Sequence, residues 1–171
     1  MIITLTGFMG CGKSSVGRCL SELLCCPFMD LDTVIEEAQG RSIPEIFAAD
    51  GEAAFRRMEV EALSQIIEAQ QLTANYDKVV LALGGGAMMT PECAELVIEK
   101  THCIYLRASV NTLVSHLENE VAGRPMLQGA SLHARIEELM ALRSATYEAT
   151  AHDVIDTDGK TVEEIADEIK F

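Results

Sequence analysis

The sequence has few positive charges for its length. Its 171 residues include 13 Lys and Arg against 27 Asp and Glu, which gives a formal net charge of −14. A chain this acidic is repelled by nucleic acids and by anionic membranes, so we expect neither as a partner. It also lacks any apolar run near the roughly 20 residues of a membrane-spanning helix. No signal or transit sequence precedes the first motif at Gly7, and we therefore expect a cytoplasmic protein.

The six cysteines lack the spacing of a metal site. There is no Cys-x-x-Cys pair and no Cys/His cluster, which argues against structural zinc. Their scatter through apolar segments suits reduced thiols that serve as small hydrophobic residues. Cys11 differs because it lies inside a glycine-rich loop, where helix N–H groups would favour the reactive thiolate. Oxidation at Cys11 is therefore a hypothesis.

The chain also lacks internal repeats, low-complexity tracts and linkers, so we predict a single domain over residues 1–171. Short apolar runs alternate with segments of helical periodicity. The predicted strands are 2–6, 26–30, 78–83, 102–106 and 153–156. This alternation predicts an α/β fold, with a five-stranded parallel sheet and helices on both faces. In such sheets ligands bind at the carboxyl ends of the strands.

The first predicted strand leads into the loop Gly-Phe-Met-Gly-Cys-Gly-Lys-Ser at 7–14, and a helical pattern follows. An ordinary glycine-rich turn would not need this full eight-residue spacing, which is that of a phosphate-binding P-loop. Glycines let backbone N–H groups surround phosphate oxygens, and the next helix points its positive dipole end at them. Lys13 is expected to reach the β- and γ-phosphates, and Ser14 to hold Mg²⁺. The predicted ATP-binding residues of the loop are Gly10, Cys11, Gly12, Lys13, Ser14 and Ser15.

Two carboxylates end the second predicted strand, in Asp30-Leu31-Asp32. One alternative is that Asp30 or Asp32 only caps the following helix. We favour a functional alternative, in which Asp30 belongs to the Mg²⁺ shell and Asp32 contacts an acceptor hydroxyl. The third strand lacks the terminal Asp that many P-loop proteins use for metal, so a carboxylate must come from elsewhere.

Gly84-Gly85-Gly86 follows the third predicted strand. A flexible turn is one interpretation of three consecutive glycines. Their position at the carboxyl end of a buried strand favours the other interpretation, which is close approach of a substrate to the backbone.

Two arginines fall near or on apolar helix faces. Glu59 lies in an apolar stripe three residues after Arg56, so we expect the two side chains to pair. Arg143 occupies the apolar face of a later helix, where an anion would explain it. The alternative for Arg143 is a side chain laid along the surface with its guanidinium in water.

Several motifs now occur in one order along the chain. They are the P-loop, Asp-x-Asp at 30–32, Gly-Arg-Ser-Ile-x-Glu-Ile-Phe at 40–47, Gly-Glu-x-x-Phe-Arg-x-x-Glu at 51–59, Gly-Gly-Gly at 84–86, Gly-Arg-Pro-Met-Leu at 123–127 and Arg-x-x-x-Tyr at 143–147. This order resembles that of shikimate kinases, which are similar in fold to nucleoside monophosphate kinases. The resemblance implies Mg²⁺-dependent transfer of the ATP γ-phosphoryl group to the 3-hydroxyl of shikimate, on the route to chorismate and aromatic amino acids.

The resemblance also implies a shikimate site. Its residues would be Asp32, Arg56, Gly84, Gly85, Gly86 and Arg143. Arginine forks suit the shikimate carboxylate. Asp32 would orient the attacking hydroxyl, Gly85 would offer a backbone N–H, and a substrate-binding insertion would span about 31–60.

The polar segment 119–130 looks like the mobile lid of this kinase class. Its closure would bring Arg124 onto the phosphates and exclude water. The expected catalytic residues are thus Lys13, Asp32 and Arg124.

Two features depart from the family pattern. Relatives often carry arginine in the helix before the lid, where this chain has His116 and Leu117, and we interpret His116 as an exposed helix residue rather than a ligand. The acidic loop 156–160 ends in Lys160, which matches a nucleotide-contacting position in some relatives.

Alternatives stay open on function. A gluconate or nucleoside monophosphate kinase would share the fold and much of the chemistry, although the Phe55-Arg56 block and the triple glycine favour shikimate. A catalytically silent nucleotide-binding module would belong to a different class. We expect a monomer.

Overall fold

The computed structural model describes residues 1–73, 75–118 and 131–169. Within these residues, five parallel strands form one sheet in the order β2-β3-β1-β4-β5. The strands are β1 (Ile2–Thr6), β2 (Phe28–Asp30), β3 (Val79–Ala82), β4 (His102–Arg107) and β5 (Asp153–Asp156). All five were predicted from the sequence, and no strand end differs from its prediction by more than about two residues.

Helices connect the strands, as the alternating pattern predicts. They are α1 (Lys13–Leu24), α2 (Leu31–Gln39), α3 (Ile43–Asp50), α4 (Glu52–Thr73), α5 (Pro91–Lys100), α6 (Val110–Leu117), α7 (Leu132–Thr150) and α8 (Val162–Glu168). None of the helices in the described part of the chain combines the length and the apolar character that a membrane crossing requires.

The centre of the sheet is covered on both faces. Every residue of β1 and β3 is buried. Because successive side chains of a strand point to opposite faces, complete burial requires helices on each side. Helix α1 packs against β1, β2, β3 and α8, whereas α5 and α7 pack against β4. The predicted α/β sheet is confirmed.

Three neighbouring strands end at the same level. In the register of the sheet Asp30 lies opposite Ala82, and Ala82 lies opposite Leu5. The segments that follow these strands are the P-loop, the Asp-x-Asp motif and the triple glycine. Strand order and register therefore place the three motifs side by side at one edge, although about fifty residues separate the second from the third in the sequence.

The segment 31–60, predicted as a substrate-binding insertion, contains α2, α3 and the first part of α4. The predicted lid at 119–130, with Arg124, lies outside the described residues.

Candidate active site

The phosphate loop adopts a backbone that only glycine adopts easily. Gly10 and Gly12 have φ angles of 81° and 93°, in the left-handed region. Gly12 is also the N-cap of α1 and makes no side-chain cap. The N–H groups of the first helical turn therefore remain able to bind an anion.

Lys13 and Ser14 reach to opposite sides of this loop. Lys13 Nζ donates to the carbonyl oxygens of Gly7 at 2.8 Å and Phe8 at 3.2 Å, so the ammonium group lies over the loop. Ser14 Oγ donates to Asp30 Oδ2 at 2.6 Å across the edge of the sheet. The loop thus carries a cation on one side and is joined to a carboxylate on the other.

Asp30 serves two local structures at once. While Oδ2 accepts from Ser14, Oδ1 accepts from the backbone N–H groups of Asp32 at 3.0 Å and Thr33 at 3.4 Å. Asp30 is therefore the N-cap of α2 and also faces the P-loop serine. The two interpretations that the sequence left open, helix cap and metal-site carboxylate, do not exclude each other.

A cavity of about 420 Å³ opens beside the loop. The predicted site residues that line it are Gly10, Gly12, Lys13, Ser14, Ser15, Asp30, Asp32, Gly84 and Gly85. The structure therefore brings most of the predicted phosphate-binding residues together with residues of the predicted acceptor site.

Cys11 is placed differently from the other loop residues. Its side chain is buried, and its Sγ lies close to Gly7 rather than in the lining of the cavity. Its backbone N–H donates to Phe8 O at 3.2 Å. A Cys11 contact to ATP therefore has no support from the thiol, and burial also argues against the oxidation hypothesis because reagents cannot reach the sulfur.

Two carboxylates meet at Gly84. A Cβ atom on Gly84 would lie 2.8 Å from Asp32 Oδ1 and 3.0 Å from Glu59 Oε2, so no larger residue fits without movement. Glu59 is completely buried, and within the described residues its Oε2 atom has no hydrogen-bond partner. Burial raises the pKa of Glu59 to about 7, Arg56 opposes the rise, and the charge of Asp32 adds to it.

Arg56 forms the predicted pair with Glu59. Its Nη1 donates to Glu59 Oε1 at 2.6 Å, and its Nη2 donates to Glu52 Oε1 at 3.3 Å. The guanidinium also lies against Gly86, where a Cβ atom would come within 2.8 Å of Arg56 Cζ. The sequence prediction of an Arg56–Glu59 pair is confirmed, and Gly86 leaves the space that Arg56 occupies.

Arg143 is buried although it carries a charge. Its residue is 5% exposed, and its Nη1 has no hydrogen-bond partner in the part of the chain that the structure describes. The guanidinium lies over the ring of Phe8 at 5.8 Å, and Nη1 would be 3.8 Å from a Cβ atom on Gly85. The alternative of a surface arginine with its head in water is therefore wrong.

Tyr147 fixes the middle glycine. Its hydroxyl donates to the carbonyl oxygen of Gly85. Burial raises the pKa of Tyr147, and the nearby Arg143 partly opposes this rise. A Cβ atom on Gly85 would also lie only 3.1 Å from the backbone N of Met9 in the phosphate loop. The three glycines therefore serve three different contacts, with the carboxylates, the phosphate loop and Arg56.

The structure changes the interpretation of two residues, Lys160 and His116. Lys160 does not line the cavity, because its Nζ binds both oxygens of Glu168, at 2.8 and 3.0 Å. His116, which we had interpreted as an exposed helix residue, is exposed but also lines the cavity, and its Nδ1 lies 2.6 Å from the carbonyl oxygen of Gly10. The only sequence signal for this contact was its position in the helix before the predicted lid, where relatives carry arginine.

A P-loop follows the central strand β1, and its cavity also contains Asp32, Gly84 and Gly85, while Arg56 and Arg143 lie against the triple glycine. These features define a P-loop kinase with a small, anionic acceptor. The chain belongs to the shikimate kinase family: the family model described as shikimate kinase matches residues 9–170. The resemblance that the motif order indicated is confirmed.

Individual relatives agree with the family. A shikimate kinase of Thermus thermophilus is 41% identical over 167 residues, covering 98% of this chain and 86% of that protein. The shikimate kinase of Zymomonas mobilis is 42% identical over 167 residues, with 98% and 90% covered.

Solved structures give the same result. A shikimate kinase from Acinetobacter baumannii in complex with shikimate has a TM-score of 0.89 and 32% identity, covering 98% of this chain and 89% of that chain. A gluconokinase from Sinorhizobium meliloti is similar in fold alone, with a TM-score of 0.51 and 17% identity over 97% of this chain and 87% of that one. Among the two kinase types, the comparisons do not favour gluconate.

Proposed function

We propose that this chain transfers the γ-phosphoryl group of ATP to the 3-hydroxyl of shikimate, giving 3-phosphoshikimate and ADP. The observation that carries the proposal is the buried guanidinium of Arg143, whose Nη1 lacks a partner within the described residues. A buried N–H donor without a partner is costly, and a carboxylate is the natural ligand for an arginine fork. Shikimate has one carboxylate, and its hydroxyl groups can donate to the hydrogen-bond acceptors nearby.

The acceptor end of the site consists of the triple glycine and the side chains around it. Arg143 and Arg56 lie against Gly85 and Gly86 and would bind the carboxylate of shikimate from two sides. Asp32 lines the same cavity as Lys13 and would accept a hydrogen bond from the 3-hydroxyl. Glu59 holds Arg56 through its 2.6 Å ion pair, so it acts as a positioning residue.

The phosphate end consists of the loop and α1. Backbone groups of Gly10 and Gly12 and the first turn of α1 would surround the phosphates, and Lys13 would move from the loop carbonyls onto the β- and γ-oxygens. The family resemblance assigns Arg124 and the lid 119–130 to the same phosphates. These assignments fall on residues outside the described ranges, so they remain predictions.

Magnesium fits the oxygen atoms at this end. Within the described residues no group of three or more His, Cys, Asp or Glu side chains could hold a metal by itself. Mg²⁺ characteristically takes only one or two protein oxygens and completes its shell with phosphates and water. Ser14 Oγ and Asp30 Oδ2, 2.6 Å apart, would supply these oxygens. When bound, the metal supplies neutralisation of the charge on the phosphates.

The chemistry requires positioning more than a strong base. Phosphoryl transfer passes through a loose transition state, in which the acceptor oxygen, the phosphorus and the leaving oxygen are in line. Asp32 orients the acceptor hydroxyl and takes its proton late in the transfer, while Lys13 stabilises charge on the phosphate. We further propose a cytoplasmic monomer, in keeping with its small-molecule substrates.

The experiment is a measurement of ADP release with three acceptors. Purified protein is supplied with ATP and Mg²⁺ and with shikimate, gluconate or a nucleoside monophosphate. Of the three acceptors, we expect only shikimate to support turnover. Mass spectrometry and NMR should locate the new phosphate on the 3-hydroxyl. Lys13→Ala, expected to abolish transfer, controls for contaminating kinases. Turnover with gluconate but not with shikimate would reject the proposal, and so would the absence of any acceptor-dependent turnover.

A further inference from the structure

We infer that His116 is a nucleotide-binding residue, which fixes the phosphate loop through one ring nitrogen and meets the polyphosphate with the other. The inference rests on the proposed function in one respect, because it takes the cavity beside residues 7–14 as the place of the nucleotide phosphates. It concerns a residue of α6, which no motif of the sequence assigns to the site.

Two adjacent residues of α6 hold the same point of the phosphate loop. His116 Nδ1 lies 2.6 Å from the carbonyl oxygen of Gly10. Leu117 is fully buried, and its Cγ atom would be 2.6 Å from a Cβ atom on Gly10. Gly10 is therefore packed against Leu117 on its Cα side and hydrogen-bonded by His116 at its carbonyl. The end of α6 sets the shape of the loop at this residue.

The Gly10 contact decides which ring nitrogen carries a proton. A carbonyl oxygen can only accept a hydrogen bond, so Nδ1 of His116 must be the donor. The other nitrogen, Nε2, is then a bare acceptor in the neutral ring and an N–H donor in the charged ring. Protonation of Nε2 leaves the Gly10 bond intact and adds a positive charge at the cavity wall.

A bound polyphosphate would favour the charged ring. His116 shares the lining of the cavity with Lys13, Asp30 and Asp32. Its own helix is followed by Glu118, and on α7, which packs against α6, the buried face carries Arg143. Phosphate oxygens stabilise imidazolium, so nucleotide binding should take up a proton at His116.

The asymmetry of the ring allows a sharp test. His116→Asn keeps a short side-chain N–H donor for Gly10 but cannot become charged, whereas His116→Ala loses both functions. His102→Asn is the matched control. His102 is the first residue of β4, so it lies at the amino ends of the strands rather than at their carboxyl ends, and it pairs with Asp153 at 2.6 Å. Dissociation constants for MgADP are measured by calorimetry without shikimate, from about pH 5.5 to about pH 8.5, on both sides of the usual imidazole transition.

We expect wild-type protein and His102→Asn to bind MgADP about two- to five-fold more tightly at the acid end, relative to His116→Asn. The binding enthalpy of the wild type should also vary with the ionisation enthalpy of the buffer, showing proton uptake that His116→Asn lacks. At the alkaline end His116→Asn should match the wild type, and His116→Ala should bind more weakly at every pH. The terminal phosphate and Glu59 titrate in the same range, but all four proteins share them, so the difference isolates His116.

Identical pH profiles and proton uptake in wild type and His116→Asn would overturn the inference alone. A protein that binds MgADP with the expected profile but fails to phosphorylate shikimate would leave the inference standing and reject the proposed acceptor. Absence of MgADP binding in the wild type would reject both.

Discussion

Arg56 donates to Glu59 across 2.6 Å, although Glu59 has no exposed surface at all. The second carboxylate oxygen of Glu59, Oε2, lies close to Gly84. The Oδ1 atom of Asp32 lies close to the same glycine. One buried carboxylate thus joins the two halves of the proposed acceptor site, the arginine that binds an anion and the aspartate that orients a hydroxyl. Because Glu59 is fully buried, water does not solvate its carboxylate.

The first prediction concerns the pH dependence of stability. The pKa of Glu59 is raised to about 7 in the folded protein, above its value in the unfolded chain, so the folded state holds the proton more strongly. Glu59 therefore contributes fully to the free energy of unfolding at low pH, below its pKa in the unfolded chain. The contribution is lost as the pH rises from that value to about 7. Glu59→Gln should flatten this decline, by on the order of 1–3 kcal/mol.

Urea denaturation at a series of pH values measures this effect. Glu45→Gln is a suitable control, because Glu45 is solvent-accessible and lies in the first turn of α3. Parallel stability curves for wild type and Glu59→Gln between the acid and neutral ends would show that folding does not raise the pKa of Glu59.

The second prediction concerns Arg143. Arg143→Ala should raise the shikimate KM by about ten- to a hundred-fold, since a charged hydrogen bond to an anion contributes about 1.5–3 kcal/mol. The KM for ATP should change much less. Stability should not fall by as much as a lost core residue would cause, because the substitution also removes a buried guanidinium whose Nη1 atom has no hydrogen-bond partner within the described residues.

Steady-state kinetics with each substrate varied separately measures both KM values. Arg135→Ala is the matched control and should behave as wild type, because the partly buried Arg135 pairs with the exposed Glu138 on the same helix. An unchanged shikimate KM in Arg143→Ala would remove the carboxylate assignment.

The third prediction compares two adjacent glycines. Gly84→Ala would place a methyl group against Asp32 and Glu59, whereas Gly86→Ala would place it against the guanidinium of Arg56. In the proposed site Asp32 orients the acceptor hydroxyl, so Gly84→Ala should chiefly lower kcat. Arg56 is the proposed ligand of the carboxylate, so Gly86→Ala should chiefly raise the shikimate KM. We expect about ten-fold or larger effects, since an ångström of misplacement can cost about a hundred-fold in rate.

The two variants serve as controls for each other, since each adds one methyl group at nearly the same depth. Kinetic constants and thermal unfolding are measured together, so that general destabilisation is separated from a local effect. Equal changes of kcat and KM in both variants would show that the glycines matter only for the fold.

The sequence was sufficient for everything that depends on local periodicity. The strands and the Arg56–Glu59 pair follow from spacings of two to four residues, which the backbone geometry translates directly into neighbours. The P-loop follows from the eight-residue motif at 7–14. Even the meeting of the P-loop with Asp30 could be expected, because parallel strands bring their carboxyl ends to one edge.

The contacts that the sequence did not predict depend on tertiary packing or on the backbone of a loop. The bond between His116 and Gly10 joins residues 106 positions apart and depends on how α6 packs, which no local pattern contains. The direction of the Cys11 thiol depends on the φ angles of the loop. Lys160 was predicted from a positional match, and its ion pair with Glu168 is a contact that the match did not contain. Its contact to a nucleotide stays a prediction.

The last prediction separates the two roles of Asp30. Asparagine is as good an N-cap as aspartate, so Asp30→Asn should retain the cap of α2 while it loses the negative charge and the acceptor oxygen that face Ser14. We expect its melting temperature to stay near that of the wild type, while the Mg²⁺ concentration for half-maximal activity rises about ten-fold. Asp30→Ala loses the cap as well and should also lose about 1 kcal/mol of stability.

Titration of activity with Mg²⁺ at saturating ATP and shikimate, beside thermal unfolding of the same samples, distinguishes these effects. Asp50→Asn is the control for charge alone, because Asp50 pairs with Arg41 on the surface. If Asp30→Asn had the wild-type Mg²⁺ requirement, Asp30 would be only a helix cap, and the metal would depend on Ser14 and the phosphates. A raised requirement without loss of stability would assign the metal role to the carboxylate oxygen that faces Ser14, because the cap and the fold are both retained.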